Sequence, residues 1–384
     1  MISRADRSVF TEWWWTVDKT LLTGLVVLLV GGVVLSLAGS PPVAERLGYD
    51  SFHFVKRHLI FFIPTVMLLI ATSFLTPRIA RRLSMTLFVG MVGLMFMTLF
   101  IGVEVNGSRR WIDVAGFSLQ PSEFLKPAFI VICAWLFTEN ARDSAVPGNL
   151  IAMFFLALVV LLLVAQPDLG QTVLVATTWG AVFFLAGMPW IWIAVIAGAA
   201  GVGMVAAYST FPHVAGRIDQ FLNPANGDTY QVDTALEAFA NGGWAGVGPG
   251  EGTVKLVLPD AHTDFIFAVA AEEFGLILCL ALIAVFGFVV IRGLARSLRC
   301  EDPFARVASA GLMVLFGIQS VINMAVNLNL MPSKGMTLPF ISYGGSSMFA
   351  IAISMGLVLA LTRKSPSADR RRRNVFVEGL PDTA

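Results

Sequence analysis

The chain has 384 residues, of which 57% are hydrophobic and 13% charged, and its mean hydropathy of +0.78 lies far above that of a soluble globular domain. A formal net charge of +1 gives no electrostatic footprint for a nucleic-acid partner, and the three cysteines (Cys133, Cys279, Cys300) stand in apolar runs or beside a basic loop, which argues against a disulfide framework or a zinc site. The apolar residues form uninterrupted runs of about 20, the helical length that crosses ~30 Å of hydrocarbon, rather than the alternating strands of about ten residues that build a β-barrel.

The expected fold is therefore an all-α polytopic membrane protein of about ten transmembrane helices. Bounded by charge, Pro or Gly, the spans fall near 18–39, 58–76, 84–103, 122–138, 149–166, 171–187, 189–211, 263–291, 304–328 and 342–362. Residues 1–17 form an N-terminal tail in which Trp13, Trp14 and Trp15 suit an interfacial aromatic belt. The first run is too long for a signal-peptide core, so it is expected to stay as a membrane helix. Alternate connections carry 17 and 8 of the 26 Lys and Arg residues, with Lys126 left inside a helix. The positive-inside rule then puts both termini in the cytoplasm and the long polar connection 212–262 on the opposite face, where chemistry is sought first. Its upstream part, Pro212 to Asn241, is expected to be mobile and ligand-facing. Segment 363–384 reads as a disordered basic tail, its run from Arg370 to Arg373 anchoring topology against anionic lipid.

Four stretches on that opposite face could carry chemistry. In the first, Asn106 to Lys126, the forks of Arg109 and Arg110 suit phosphate oxygens and Trp111 suits a sugar face; the alternative is an interfacial loop with snorkelling arginines. Glu123 and Lys126 are three apart on one helical face, so they form an ion pair or Lys126 reaches an anionic ligand. In the second, Gln166 to Gln171, Asp168 suits a helix cap. The third runs from Asn241 through a glycine-rich segment to Gly252, then through Lys255 and Pro259 to Asp264. Its glycines lack the βαβ setting of a dinucleotide site and instead let the backbone turn or approach a ligand. Asp264 lies where the loop enters the eighth span, placed to meet both an aqueous acceptor and a lipid-anchored donor; the alternative is that Thr263 or Asp264 caps the helix. His262 is close by, too weak a signal for a metal site. Glu272 and Glu273 lie roughly 12 Å deeper by helix rise and either bond neighbouring helices or mark a proton path. In the fourth, Leu330 to Ser347, two prolines and three glycines forbid a regular helix. Lys334 with Ser342, Tyr343, Ser346 and Ser347 makes a donor-rich surface for pyrophosphate or sugar hydroxyls, unless the hydroxyls serve freed backbone groups.

Taken together, Arg109-Arg110-Trp111-Ile-Asp, Gln120-Pro-Ser-Glu123, Gln166-Pro-Asp-Leu-Gly170, His262-Thr-Asp-Phe-Ile-Phe267 and Pro339-Phe-Ile-Ser-Tyr-Gly-Gly-Ser-Ser347 resemble the SEDS family of peptidoglycan polymerases over nearly the whole chain. Pro332-Ser-Lys-Gly-Met-Thr-Leu-Pro339 is similar to the division branch of that family rather than the elongation branch. The resemblance implies an inverting glycosyltransferase that polymerises lipid II into glycan strands on the outer face of the bacterial inner membrane at the septum, releasing undecaprenyl pyrophosphate. It also implies a class B penicillin-binding protein, which crosslinks the strands, and other division proteins as partners. It places the family's essential aspartate on Asp264, its last-loop lysine on Lys334 and its arginine-tryptophan element on Arg109, Arg110 and Trp111. The segment Gly248 to Val257 departs from the family's more usual polar and aromatic stretch, so no loop residue upstream of Pro259 is carried over. Asp264 is then expected to act as general base, or alternatively to hold Mg²⁺ or Mn²⁺. A lipid II flippase is the rival from another class; it needs charge continuing across the bilayer, where the sequence offers Lys126, Glu272 and Glu273 and little else. A non-catalytic division scaffold is the third reading.

Overall fold

All ten apolar runs fold as helices in the computed structural model, which describes residues 8–363 apart from 106–107, 115–116, 144, 211–214, 217–218, 220–229 and 333–334. In chain order the helices are α1 (Val9–Thr16), α2 (Lys19–Arg46), α3 (His53–Ser73), α4 (Pro77–Ile101), α5 (Pro121–Arg142), α6 (Gly148–Ala165), α7 (Leu169–Leu185), α8 (Trp190–Thr210), α9 (Tyr230–Gly242), α10 (Ile266–Ser297), α11 (Pro303–Asn327) and α12 (Gly345–Leu361). Seven of them, α2 to α6 with α10 and α11, are long and apolar enough to cross a membrane, and α7, α8 and α12 are shorter apolar helices. Some edges move from the sequence expectation. Arg78, Arg81 and Arg82, left between two spans by the sequence reading, belong to α4, which starts at Pro77 under a Thr76 cap. Helix α2 runs on through Pro41 and Pro42 to Arg46.

The centre of the bundle is α5, α11 and α12, whose side chains are almost all buried. Helices α3, α4, α6 and α10 turn Ile63, Met67, Phe100, Phe154, Leu161 and Ile291 outward, an apolar surface that lipid would cover. Of the three N-terminal tryptophans, Trp15 is exposed but Trp13 is core: its ring stacks on Phe74 at 5.0 Å and its Nε1 donates to Ser73 Oγ at 2.8 Å. At the same end Asp18 caps α2 and pairs with Arg292 (2.8 Å) and Arg296 (2.9 Å) of α10. The basic tail expected after Arg363 lies outside the described residues.

The opposite end holds two features that the apolar runs did not announce. Between α4 and α5 the chain forms an antiparallel sheet of β1 (Val103–Val105), β2 (Ser108–Val114) and β3 (Phe117–Leu119), registered as Val103 opposite Trp111 and Ile112 opposite Leu119. Helix α10 is broken at Gly275, whose φ of 77° favours glycine. The glycine-rich loop docks into that break: Leu276 N and Ile277 N donate to Gly243 O (3.0 Å) and Trp244 O (3.2 Å), and Val247 N and Gly248 N donate to Glu272 O (2.9 Å) and Glu273 O (3.1 Å). A Cβ on Gly275 would collide with Trp244 O and Gly246 N. The Glu272 carboxylate accepts from Asn241 Nδ2 (2.9 Å) and from the amides of Thr253 (2.7 Å), Val254 (2.7 Å) and Lys255 (2.8 Å), while Lys255 pairs with Glu273. Glu272 therefore bonds the neighbouring helix α9 through Asn241, as one of the two sequence readings expects, and both glutamates also hold the loop. The mobile segment expected up to Asn241 is in its last part the ordered helix α9, packed against α10; most of 211–229 lies outside the described residues.

Candidate functional site

At this end the first turns of α3, α5, α9 and α12 and the loops before α10 and α12 meet the sheet around a cavity of about 700 Å³. Asp264, Arg110, Trp111, Tyr343, Ser346 and Ser347, all expected from the sequence, line it together with Arg57, Asp113, Asp260 and Thr337. Its size falls in the range of small-ligand pockets, about 300–1,000 Å³. Lys334 lies outside the described residues.

Asp264 is half-buried, and the surface it keeps opens into this cavity. Burial, reinforced by the Asp260 carboxylate and partly offset by Arg110, pushes its carboxyl up to about 7. The backbone around it is fixed from α11. Asn323 Nδ2 and Asn327 Nδ2 each donate to Asp264 O at 2.9 Å, and Asn327 Oδ1 accepts from Ala268 N at 3.1 Å. The start of α10 is thus capped by Asn327, and no side chain of its own segment caps it. Thr263 and Asp264 are not caps, so the carboxylate is left for the cavity. Gly335 packs close to it, since a Cβ there would lie 3.3 Å from Asp264 Oδ2.

The cations behave differently from one another. Arg109 is exposed, pairs with Glu104 at 3.2 Å and does not line the cavity. Arg110 spreads its guanidinium over Gln166 O (3.3 Å), Pro167 O (2.8 Å), Ser108 Oγ (3.0 Å) and Asp168 Oδ2 (3.4 Å), clamping the α6–α7 turn to the sheet. Asp168 also caps α7 by accepting from Gln171 N at 3.2 Å. Lys126 is buried and bonds Glu123 Oε1 (2.9 Å) and Gln319 Oε1 (3.2 Å), and Gln171 Nε2 donates to the same Glu123 oxygen at 2.8 Å.

The hydroxyls of the last loop stitch the site together. Ser342 Oγ accepts from Leu338 N (2.8 Å) and donates to Thr263 O (2.5 Å); Ser346 Oγ accepts from Gln120 N and donates to Ser118 O, both at 3.1 Å. Ser347 Oγ bonds Thr337 Oγ1 at 2.6 Å. His262 is buried behind the wall between the rings of Phe54 (4.6 Å) and Tyr343 (5.4 Å), and burial first, then the Arg46 charge, push it down to about 4, so it is neutral. Among the described residues no group of three or more His, Cys, Asp or Glu converges as a metal cage.

Sequence reasoning missed Arg57, Asp260, Asn323, Asn327 and Thr337. In the sequence Arg57 reads only as one of the eight Lys and Arg charges on the opposite face. It lines the cavity together with Tyr343. The asparagines sit in an apolar helix, and two polar amides at i and i+4 near its end were the available signal.

The family described as "Cell cycle protein", grouping FtsW, RodA and SpoVE, matches residues 19–367. The chain is 48% identical over 367 residues to a probable peptidoglycan glycosyltransferase FtsW of Caulobacter vibrioides, covering 95% of this chain and 94% of the relative. It is 34% identical to a protein of the same name in Acinetobacter baylyi, covering 94% and 93%. Among solved structures, a chain from a peptidoglycan synthase complex that coordinates polymerization and crosslinking matches with a TM-score of 0.74 at 27% identity, over 90% of this chain and 97% of that one. The rod shape determining protein RodA of Thermus thermophilus matches with a TM-score of 0.68 at 25% identity, over 91% and 97%.

Proposed function

Since the chain belongs to the FtsW, RodA and SpoVE family of cell cycle proteins, we propose that it is a peptidoglycan glycosyltransferase that polymerises lipid II during bacterial cell division. The observation that carries the chemistry is Asp264, a carboxyl held at about 7 on the wall of a cavity large enough for sugars. The 4-hydroxyl oxygen of one lipid II attacks the anomeric carbon of the lipid-linked chain. Its proton passes to Asp264, the bond to pyrophosphate breaks, and the electron pair leaves with undecaprenyl pyrophosphate, inverting the centre. A base with a pKa near the working pH contributes about 10²–10⁴ in rate. Asn323 and Asn327 hold the backbone from which Asp264 acts, and Arg110 fixes the wall beside it.

Ten spans return the chain to its starting side, so both termini are cytoplasmic and the cavity opens to the outer face of the inner membrane at the septum. The polymerase works with a class B penicillin-binding protein that crosslinks its strands, within the division machinery. Asp260 and Asp264 would hold a Mg²⁺ or Mn²⁺ only together with the phosphates of the substrate, as Mg²⁺ sites commonly do, and the ion would supply charge to the leaving group. The flippase reading finds little support: Lys126, Glu272 and Glu273 are each bonded within the protein.

The test is reconstitution of the full chain in vesicles with lipid II and its cognate class B penicillin-binding protein. Glycan polymer is expected. Lipid II translocation with no polymer would replace the polymerase reading by the flippase.

A further inference from the structure

At the end of the bundle opposite the cavity, the fold treats the arginines unequally. Arg292 and Arg296 share Asp18, and Arg363 donates to Phe74 O at 3.3 Å. Arg78, Arg81 and Arg82, in the first two turns of α4, have no hydrogen-bond or ion-pair partner for their side chains among the described residues. The acids of the same end do not answer them. Asp302 caps α11 by accepting from Phe304 N (3.2 Å), Asp143 accepts from Ala145 N (2.9 Å), and neither Glu139 nor Glu301 forms an ion pair with any of the three.

Arg81 is nevertheless held in place. Its guanidinium lies over the rings of Trp135 on α5 (5.7 Å) and Phe304 on α11 (5.3 Å), so three helices fix it, half-buried, where they meet. Ring contacts stabilise the charge but leave its N–H fork without an acceptor, and a phosphate presents the matching pair of oxygens. The surroundings select the kind of anion. Arg82 is exposed and heads a stripe of α4 that continues at i+7 and i+14 through Val89 and Phe96, which are 64% and 56% exposed and face lipid. A ligand with an anionic head at the helix start and hydrocarbon running along the helix meets both features, whereas an acidic peptide or a free anion meets only the first.

We propose that Arg81, clamped by Trp135 and Phe304, and Arg82 beside it bind the phosphate of one anionic phospholipid, whose acyl chains run along Val89 of α4. This site lies at the far end of the bundle from the cavity and does not rest on the glycosyltransferase reading.

The test uses the full chain in detergent, resupplied with equal amounts of phosphatidylglycerol and phosphatidylcholine, with bound lipid counted by native mass spectrometry and the unfolding temperature taken in parallel. Wild type should hold phosphatidylglycerol in preference to phosphatidylcholine. Arg81→Ala should weaken that lipid at least about fivefold, the effect of losing one basic side chain beside an anionic headgroup, with Arg81→Lys between the two because a point charge replaces a fork. Arg82→Ala, which removes an exposed side chain and so keeps the fold, should weaken it by a few-fold, while Lys19→Ala, on α2 at the same end, should not. Phosphatidylglycerol held equally by wild type, Arg81→Ala and Arg82→Ala would overturn the site, as would phosphatidylcholine held as tightly by wild type or equal weakening by Lys19→Ala. Inorganic phosphate or a hexaglutamate peptide bound through Arg81, with phosphatidylglycerol not preferred, would put a soluble anion or a protein partner there and overturn the lipid assignment.

Discussion

Asp264 is held where a carboxylate is costly. Desolvation and Asp260 raise its folded pKa to about 7 from the ordinary 3.8, so the folded protein binds this proton more tightly than the unfolded chain. Its contribution to stability is full below 3.8 and is lost as pH rises through 7, the reverse of a salt-bridged aspartate. Asp264→Asn should therefore raise the thermal unfolding temperature of nanodisc-embedded protein at pH 8, with the gain shrinking as the pH falls. A variant no more stable than wild type at pH 8 would contradict this environment for the carboxyl. The position of Asp264, at a loop-to-helix junction after Pro259, was legible in the sequence. The work of Ser342 and Ser346 was not, because a hydroxyl reads the same whether it faces a ligand or a backbone group 79 or 228 residues away.

At the scale of elements, α11 reaches across to place the residues that open α10. Asn327 does two things: its Oδ1 caps the helix and its Nδ2 holds Asp264 O. Asn327→Ala removes both and should cost about 1–2 kcal/mol of stability as well as activity. Asn327→Asp keeps the cap acceptor but sets a buried carboxylate oxygen against Asp264 O, so kcat should fall by about tenfold or more at nearly unchanged KM, with a lower unfolding temperature. Equal kcat in wild type and Asn327→Asp would remove the positioning role. Span existence was read from run length alone, which suffices because hydrocarbon thickness sets it. The break at Gly275 was hidden, since one glycine in an apolar helix is ordinarily tolerated at ~1 kcal/mol and only the docked loop reveals why it is needed. The small sheet was hidden too: Arg109, Arg110 and Asp113 interrupt any alternation of apolar residues along β2.

Across the whole molecule, the central helices α5, α11 and α12 connect the membrane-buried core to the cavity. Lys126 on α5 bonds Gln319 on α11, and Gln319 Nε2 donates to Thr337 O at 3.2 Å beside the cavity. Lys126→Ala leaves Glu123 as an uncompensated buried charge, a loss of about 3–5 kcal/mol, whereas Lys126→Met with Glu123→Leu removes both charges and should recover most of it. Detergent-resistant folded yield checks this, and equal losses in both variants would count against an ion pair whose main cost is burial. The most direct test of the central claim, that Asp264 is the base of glycan polymerisation, is the polymerisation rate of wild type and Asp264→Asn with lipid II from about pH 5.5 to about pH 8.5, roughly 1.5 units either side of the carboxyl's value of about 7. Wild type should rise about tenfold per pH unit below 7 and level off above it, with Asp264→Asn slower by about 10²–10⁴ and flat. Asp264→Asn polymerising at the wild-type rate, with the same pH dependence, would contradict it.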